Sequence, residues 1–301
     1  MNRMILLCAL SWIVLPMHMK AQGCSDAGFC SAGAMQTGVT DNLTRGNSYG
    51  AAVTAGIGEN STLILSLQAE ARLQLTSKDQ LEVKVPFSYA DGNLGSYAGV
   101  GDPIITVTRK FRKKFSATIG TRIGSGNANG MDNGKVLPMP YQSSLGTTDL
   151  IAGAGVKIAR YLSVAAGYQQ PLIQYNQNTY ATGIMTPLLP QEYIYFDSRK
   201  LERQGDVLLR LDGTLQIQRV TLSLGPLLIY HLGEDTYIDN NGARATLTGS
   251  DGLTLNIAGS ARYKCAAGIF ELVGGTPMIV RDSRPDGLTR ALVLTLRYSS
   301  R

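Results

Sequence analysis

The chain has 301 residues, with 28 lysines and arginines against 22 acids, a net charge of +6, 44% hydrophobic residues and 34 glycines. Ordinary apolar content without a polar low-complexity tract excludes a disordered chain, and no repeat period marks a solenoid or coiled coil. The 17% charged fraction lies below the roughly 25% of soluble domains, yet no long apolar run occupies the body of the chain.

Residues 1–21 read as a secretion signal. Arg3 precedes an apolar run over 4–17, broken by Pro16, and cleavage is expected near Ala21. Its removal takes Arg3 and Lys20 and no acid, so the net charge falls from +6 to +4. That is too mild and too scattered a charge for a nucleic-acid partner. Residues 22–48 read as a periplasmic N-terminal segment. Cys24 and Cys30 flank a short loop there, and in an oxidising compartment they are the disulfide candidates. Pairing of Cys265 with either stays open, as does whether the segment plugs a lumen, extends into the periplasm or contacts a neighbour.

From residue 49 to 301 the pattern is all-β. Leu63, Leu65, Leu67, Ala69, Ala71, Leu73 and Leu75 share one face, and Ser66, Gln68, Glu70, Arg72 and Gln74 the other. A period of two over this length is a strand signature. The alternation recurs at Leu81–Val83–Val85–Phe87–Tyr89, at Val207–Leu209–Leu211 and at Leu253–Leu255–Ile257. Strands are expected near 49–57, 62–75, 79–91, 101–112, 115–125, 147–159, 161–175, 203–217, 219–232, 252–264, 266–280 and 288–298.

Three features choose a membrane over water. Most strands reach ten residues or more, the length of a tilted membrane strand rather than the usual 5–6. Their polar faces are rich in Gly, Ser, Thr and Gln. Turns at 76–78, 112–114, 159–160, 218–219 and 264–266 are very short, whereas the connections at 126–146, 176–202 and 233–251 are long and polar. Short turns on one side and long loops on the other are the plan of an antiparallel transmembrane β-barrel in an outer membrane, here with about twelve strands. Phe111, Phe115, Tyr161, Tyr263 and Tyr298 beside the short turns, and Phe87, Tyr89, Tyr175 and Tyr230 near the long loops, resemble two interfacial girdles.

Val85-Pro86-Phe87 leads into a glycine-rich turn and Gly99-Val100-Gly101-Asp102, and the next strand ends in Arg109-Lys110-Phe111. With GTRIGSGNANG over 120–130 and LGTTDLIAGAG over 145–155, the span from about residue 60 resembles the outer-membrane barrels grouped as the MetA-pathway phenol-degradation family. That resemblance implies a barrel that passes small organic compounds, and it supplies no catalytic residues.

If the apolar face meets lipid, then Glu70, Arg72, Glu82, Lys84, Arg122, Lys157, Asp206, Arg210, Asp212, Arg262 and Arg297 point inward and line the lumen. Charges there must pair across strands or meet water. Bases outnumber acids in the set, so a narrow, weakly anion-favouring path and a salt-bridged closed interior are both open.

Enzyme signals are missing. His231-Leu232-Gly233 has glycine where an outer-membrane phospholipase has its serine, the GMDNGK run over 130–135 falls short of a phosphate loop, and the acidic loop near Glu234–Asp239 lacks the first calcium ligand. No cofactor or metal site is expected. The leading reading is a passive outer-membrane channel for small solutes, apolar ones among them. The alternatives are a structural or assembly barrel with a protein partner at its loops or N-terminal segment, and a barrel hydrolase.

Overall fold

The computed structural model describes residues 32–36, 46–111, 114–182, 190, 193–287 and 292–300. The expected signal and both Cys24 and Cys30 lie outside these residues. Among these residues seventeen strands run in chain order. The first eight are β1 (Ser48–Ile57), β2 (Leu63–Gln74), β3 (Asp79–Gly92), β4 (Gly95–Val100), β5 (Ile104–Phe111), β6 (Phe115–Arg122), β7 (Met131–Asp132) and β8 (Lys135–Val136). The others are β9 (Thr147–Ala159), β10 (Leu162–Gln174), β11 (Asp206–Ile217), β12 (Val220–His231), β13 (Thr236–Ile238), β14 (Arg244–Thr246), β15 (Gly252–Lys264), β16 (Gly268–Ile279) and β17 (Val293–Ser300).

Each long strand pairs antiparallel with its neighbours, β2 pairs with β3, and β1 pairs with β17, so the sheet closes on itself. β3 contacts β5 over its first half and β4 over its second. β4 and β5 are therefore two pieces of one barrel strand, and twelve staves form the wall. Closure leaves no edge strand, as a lipid-facing sheet requires.

The expected strand at 101–112 differs in one respect. The wall strand starts earlier, at Gly95, and is interrupted at Gly101-Asp102-Pro103. Pro86 opposite offers no N–H to a ladder, but its carbonyl accepts the Gly101 N–H at 2.8 Å. The freed Asp102 carboxylate receives the N–H groups of Ser125, Gly126 and Leu145 and the Ser144 hydroxyl, at 2.6–3.2 Å. The break in the strand thus pins the loop at 123–146.

Val53, Leu67, Ile119, Leu172, Leu209, Leu224, Leu272 and Leu296 all face outward and are exposed. Such a continuous apolar exterior has no soluble explanation and defines a lipid-facing belt. The aromatics at the short-turn end form contacts among themselves, with ring centres of Phe111 and Phe115 5.6 Å apart and of Phe270 and Tyr298 5.0 Å apart. Cys265 sits in the turn between β15 and β16, its Sγ 3.4 Å from the Gly268 carbonyl, and forms no disulfide among the described residues.

The long connections fold back over the barrel mouth. Leu137, Tyr141 and Tyr195 are buried with Ile64 and Ala90 of the wall, and Met139, Leu145 and Leu201 form a second buried group. The hydroxyls of Tyr141 and Tyr195 are 3.1 Å apart, and that of Tyr195 is 3.0 Å from Thr62 Oγ1. Burial raises the Tyr195 phenol above its ordinary range, and burial with nearby Asp197 pushes Tyr180 up to about 12.

Candidate functional site

The site is the barrel interior, and it is stratified. Nearest the short turns lies a chain of alternating charges. Register places Arg72 opposite Glu82 and Glu70 opposite Lys84 on β2 and β3, and Glu271 of β16 between Arg262 and Arg297. Because directly opposed residues on one face come within about 5 Å at Cβ, the strand pairing itself brings these charges together. Lys84 reaches Glu82 at 3.6 Å, Arg72 reaches Glu82 at 2.7 Å and Glu70 at 3.4 Å. Arg297 then bridges Glu70 at 2.9 Å and Glu271 at 2.8 Å, and Arg262 meets Glu271 at 2.6 Å. To reach Glu70, Arg297 spans β1, whose inward positions there are Gly50 and Ala52. Small residues on that stave make the bridge possible.

The second layer holds a piece of the N-terminal segment. Residues 32–36 lie inside the barrel, against β5, β6, β9 and β10, with Gly33–Met35 in one 3-10 turn. The Gly33 N–H donates to Glu82 Oε2 at 3.2 Å and the Ala34 N–H to Thr118 Oγ1 at 2.8 Å. Gln36 Nε2 donates to both Glu82 oxygens, at 3.0 and 3.1 Å, and Arg210 Nη1 donates to the Met35 carbonyl at 2.6 Å. Two glycines are needed. Gly33 adopts φ +44° and a Cβ there would overlap the hydroxyls of Thr108 and Thr118, while a Cβ on Gly153 would overlap Met35 Sδ.

Met35 and Ala32 pack with Ile104, Ile151, Leu208, Leu227 and Ala258, an apolar layer made by inward residues of five staves. Above it, toward the loops, a small cavity of about 90 Å³, partly open to solvent, is bounded by Ser66, Gln68, Ser88, Ser143, Arg122 and Met139, with Ile104 beneath. Arg122 pairs with Asp149 at 2.5 Å and donates to Thr147 Oγ1 at 3.0 Å, and its Nε has no partner among the described residues. Gln169 Nε2 also donates to Asp149.

A charged latch closes the long-loop end. His231, fully buried at the end of β12, places Nδ1 2.7 Å from Asp206 Oδ1 and Nε2 2.8 Å from Asp235 Oδ1. An imidazolium satisfies both carboxylates at once, one ring N–H to each. Arg203 binds both Asp206 and Asp286 at 3.2 Å, and Arg281 binds Asp286 at 3.0 Å. Burial pushes the Asp286 carboxyl upward, but Arg281 and Arg203 outweigh it and hold it well below the usual carboxylate range. The same carboxylates hold Arg203 more firmly charged than an ordinary arginine. The latch ties three loop ends together, at Arg203, at His231 with Asp235, and at Arg281 with Asp286.

Of the residues read from the sequence, Glu70, Glu82, Lys84, Arg122, Asp206, Arg210, Asp212, Arg262 and Arg297 are buried on inward faces, and Arg72 and Lys157 are half-buried there. Nine join the charge chain, the segment-holding group, the Arg122–Asp149 pair or the latch, and Asp212 lies beside Arg210. Lys157 stands apart, at a recess near the short turns shared with Arg160, Arg262 and Lys264. Glu271 and Asp149 escaped the reading although both alternate with outward or intervening residues, Glu271 between Phe270 and Leu272. Gln36, Arg203, Arg281 and Asp286 lie outside the barrel strands and carried no periodic signal.

The closed, stratified barrel with short turns and long loops defines the chain as an outer-membrane-type β-barrel. The chain matches no protein-family model and no curated protein. Among solved structures it is similar to the COG4313 outer membrane channel from Pseudomonas putida F1, at 17% identity and a TM-score of 0.60 over 86% of this chain and 96% of that one. It also aligns with the P. putida toluene transporter TodX, at 11% identity and a TM-score of 0.45 over 92% of this chain and 94% of that one.

Proposed function

We propose that the chain is an outer-membrane channel that lets small solutes pass down their gradient, through a lumen that is narrow and closed in the conformation described. The observation that carries this reading is the interior layering. A polar cavity of about 90 Å³ under the loops sits on an apolar layer completed by Met35 from the N-terminal segment. A barrel serving only as an anchor has no need of a solvent-connected polar cavity above a lumen turn that side chains of the wall hold in place. The similar P. putida structure is described as an outer membrane channel, which supports the same reading.

The eleven inward residues named above are the proposed lumen wall. The charge chain and Arg210 set the periplasmic half, and Arg122 the floor of the outer cavity. The apolar layer favours solutes with an apolar part, because a fully hydrated ion loses water contacts there without replacement. Residues 1–21 are proposed as the export signal and 22–48 as the segment that supplies the occluding turn.

Swelling of vesicles containing the refolded mature chain, in a panel of neutral solutes graded by size and polarity, tests this function. Selective entry of the smaller, less polar solutes is expected. Equal exclusion of every solute would contradict it, and rapid entry of all would contradict the narrow lumen.

A further inference from the structure

The short-turn rim carries a charge pattern that the passage of solutes does not use. Each of the five short hairpin turns has a cation in it or at its edge: Lys78, Lys114, Arg160, Arg219 and Lys264, with Arg109 and Lys110 close by. Lys78, Arg109, Lys114, Arg160 and Arg219 are exposed. Among the described residues, Asp79 is the one carboxylate at these turns, and it is engaged by Thr76 Oγ1 at 2.7 Å and by Arg109 at 3.6 Å. Lys78, Lys114 and Arg219 make no ion pair among the described residues. The long-loop end is different, because Glu59, Asp91, Asp132, Asp197, Glu202, Glu234 and Asp239 are mixed there with its bases.

Depth decides what such a ring meets. Aromatic side chains mark the boundary between acyl chains and headgroups. Phe111 and Phe115 flank the turn that contains Lys114, Tyr161 follows Arg160, and Tyr263 precedes Lys264. With about 3.3 Å of rise per strand residue, cations one to three residues beyond these rings lie at the level of lipid phosphates. The Arg109 guanidinium stands 5.9 Å from the Phe111 ring centre, which puts a charge at the aromatic level itself. Turns of two to four residues cannot carry these charges far into the periplasm.

We propose that this rim binds the phosphodiester headgroups of anionic phospholipids in the inner leaflet, with Lys78, Lys114 and Arg219 as outward contacts. Charge complementarity supplies the attraction, and it weakens with salt as exposed electrostatics must. A periplasmic acidic polymer such as peptidoglycan offers similar charge, but it lies beyond the headgroups that the short turns already reach.

The test reconstitutes the mature chain in vesicles of equimolar phosphatidylethanolamine and phosphatidylglycerol, extracts it gently, and measures the lipids retained by native mass spectrometry. Phosphatidylglycerol enriched on the order of fivefold over the bulk is expected at low salt, with the enrichment reduced at high salt. In the Lys78→Gln, Lys114→Gln, Arg219→Gln triple variant, enrichment falls toward the bulk ratio while the heat-modifiable gel mobility of the folded barrel is kept. A wild type that retains lipids in the bulk ratio, with or without binding to purified peptidoglycan, overturns the proposal. So does a folded triple variant that enriches phosphatidylglycerol as the wild type does. Should the triple variant fail to fold, a wild-type enrichment that salt leaves unchanged overturns it equally.

Discussion

Arg210 Nη1 donates a 2.6 Å hydrogen bond to the carbonyl oxygen of Met35, so a cation in the wall strand β11 holds backbone from a segment 175 residues earlier in the chain. The occluding turn is thus fixed by the wall and does not simply fall into the lumen. A bond with one charged partner contributes about 1.5–3 kcal/mol. Arg210→Lys keeps a cation beside Asp212 but lacks the guanidinium fork and its reach. Hydrogen exchange at Met35 and Gln36 should rise at least several-fold in this variant, while the amides of β9 to β12 keep their protection. Unchanged exchange at Met35 would mean that apolar packing alone seats the turn.

The charge chain gives a second expectation. Glu271 is shared by Arg262 and Arg297, and its removal leaves two interior guanidiniums short of a carboxylate. Breaking a buried pair on one side costs about 3–5 kcal/mol, against roughly 0–1 for an exposed pair. Glu271→Gln should therefore lower the urea midpoint of the vesicle-embedded barrel markedly, and Asp79→Asn, which breaks the exposed Arg109 pair, hardly at all. Equal midpoints for the two variants would show that water in the lumen screens the chain.

At the long-loop end, pH separates the latch from the barrel. The carboxyl of Asp286 is depressed by Arg281 and Arg203 against the upward push of burial. A depressed carboxyl contributes its full stability above the unfolded value of about 3.9, and loses it as pH falls toward the folded value. The near-UV circular dichroism of buried Tyr141 and Tyr195 should stay constant from neutral pH to about pH 4 and decline below it. Asp286→Asn should show the weakened signal already at neutral pH. A wild-type decline above pH 6 would point to another group.

His231 makes the latch depend on a single ring. Replacing it with Leu leaves Asp206 beside Arg203 but deprives Asp235 of its ring partner. A cost of roughly 3–5 kcal/mol to the loop cap is expected, visible as faster protease cleavage within 232–251 at neutral pH with the barrel still folded. Cleavage at the wild-type rate would reduce the ring to a spectator.

How much of this was legible follows from what alternation can and cannot say. The run from Leu63 to Leu75 and the repeats at Val207 and Leu253 gave the staves because a lipid-facing strand must expose one face throughout. The same parity placed Glu70, Arg72, Glu82 and Arg297 inside, and applied to Phe270 and Leu272 it would also have placed Glu271. The first half of the split stave, 95–100, reads from the sequence as a glycine-rich turn because Gly95 and Gly99 carry no apolar alternation, and 101–103 reads as the start of the next strand and not as the break it is. Residues 32–36 had no period at all. Their position depends on Gly153, Thr118 and Arg210, which are far apart in the chain and meet only once the barrel closes. The latch is likewise a meeting of loops, which follow no period.

The central claim is a closed but passable lumen in which Met35 completes the apolar layer, and single-channel conductance in planar bilayers tests it most directly. The wild-type chain should give a low conductance, and Met35→Ala, which removes the side chain packed on Ile104, Ile151 and Leu227 without touching the wall, should raise it several-fold. Gly153→Ala, which presses the wall toward the same sulfur, should move conductance in the same direction. Identical traces for wild type and Met35→Ala, or a large steady wild-type conductance, would contradict the account.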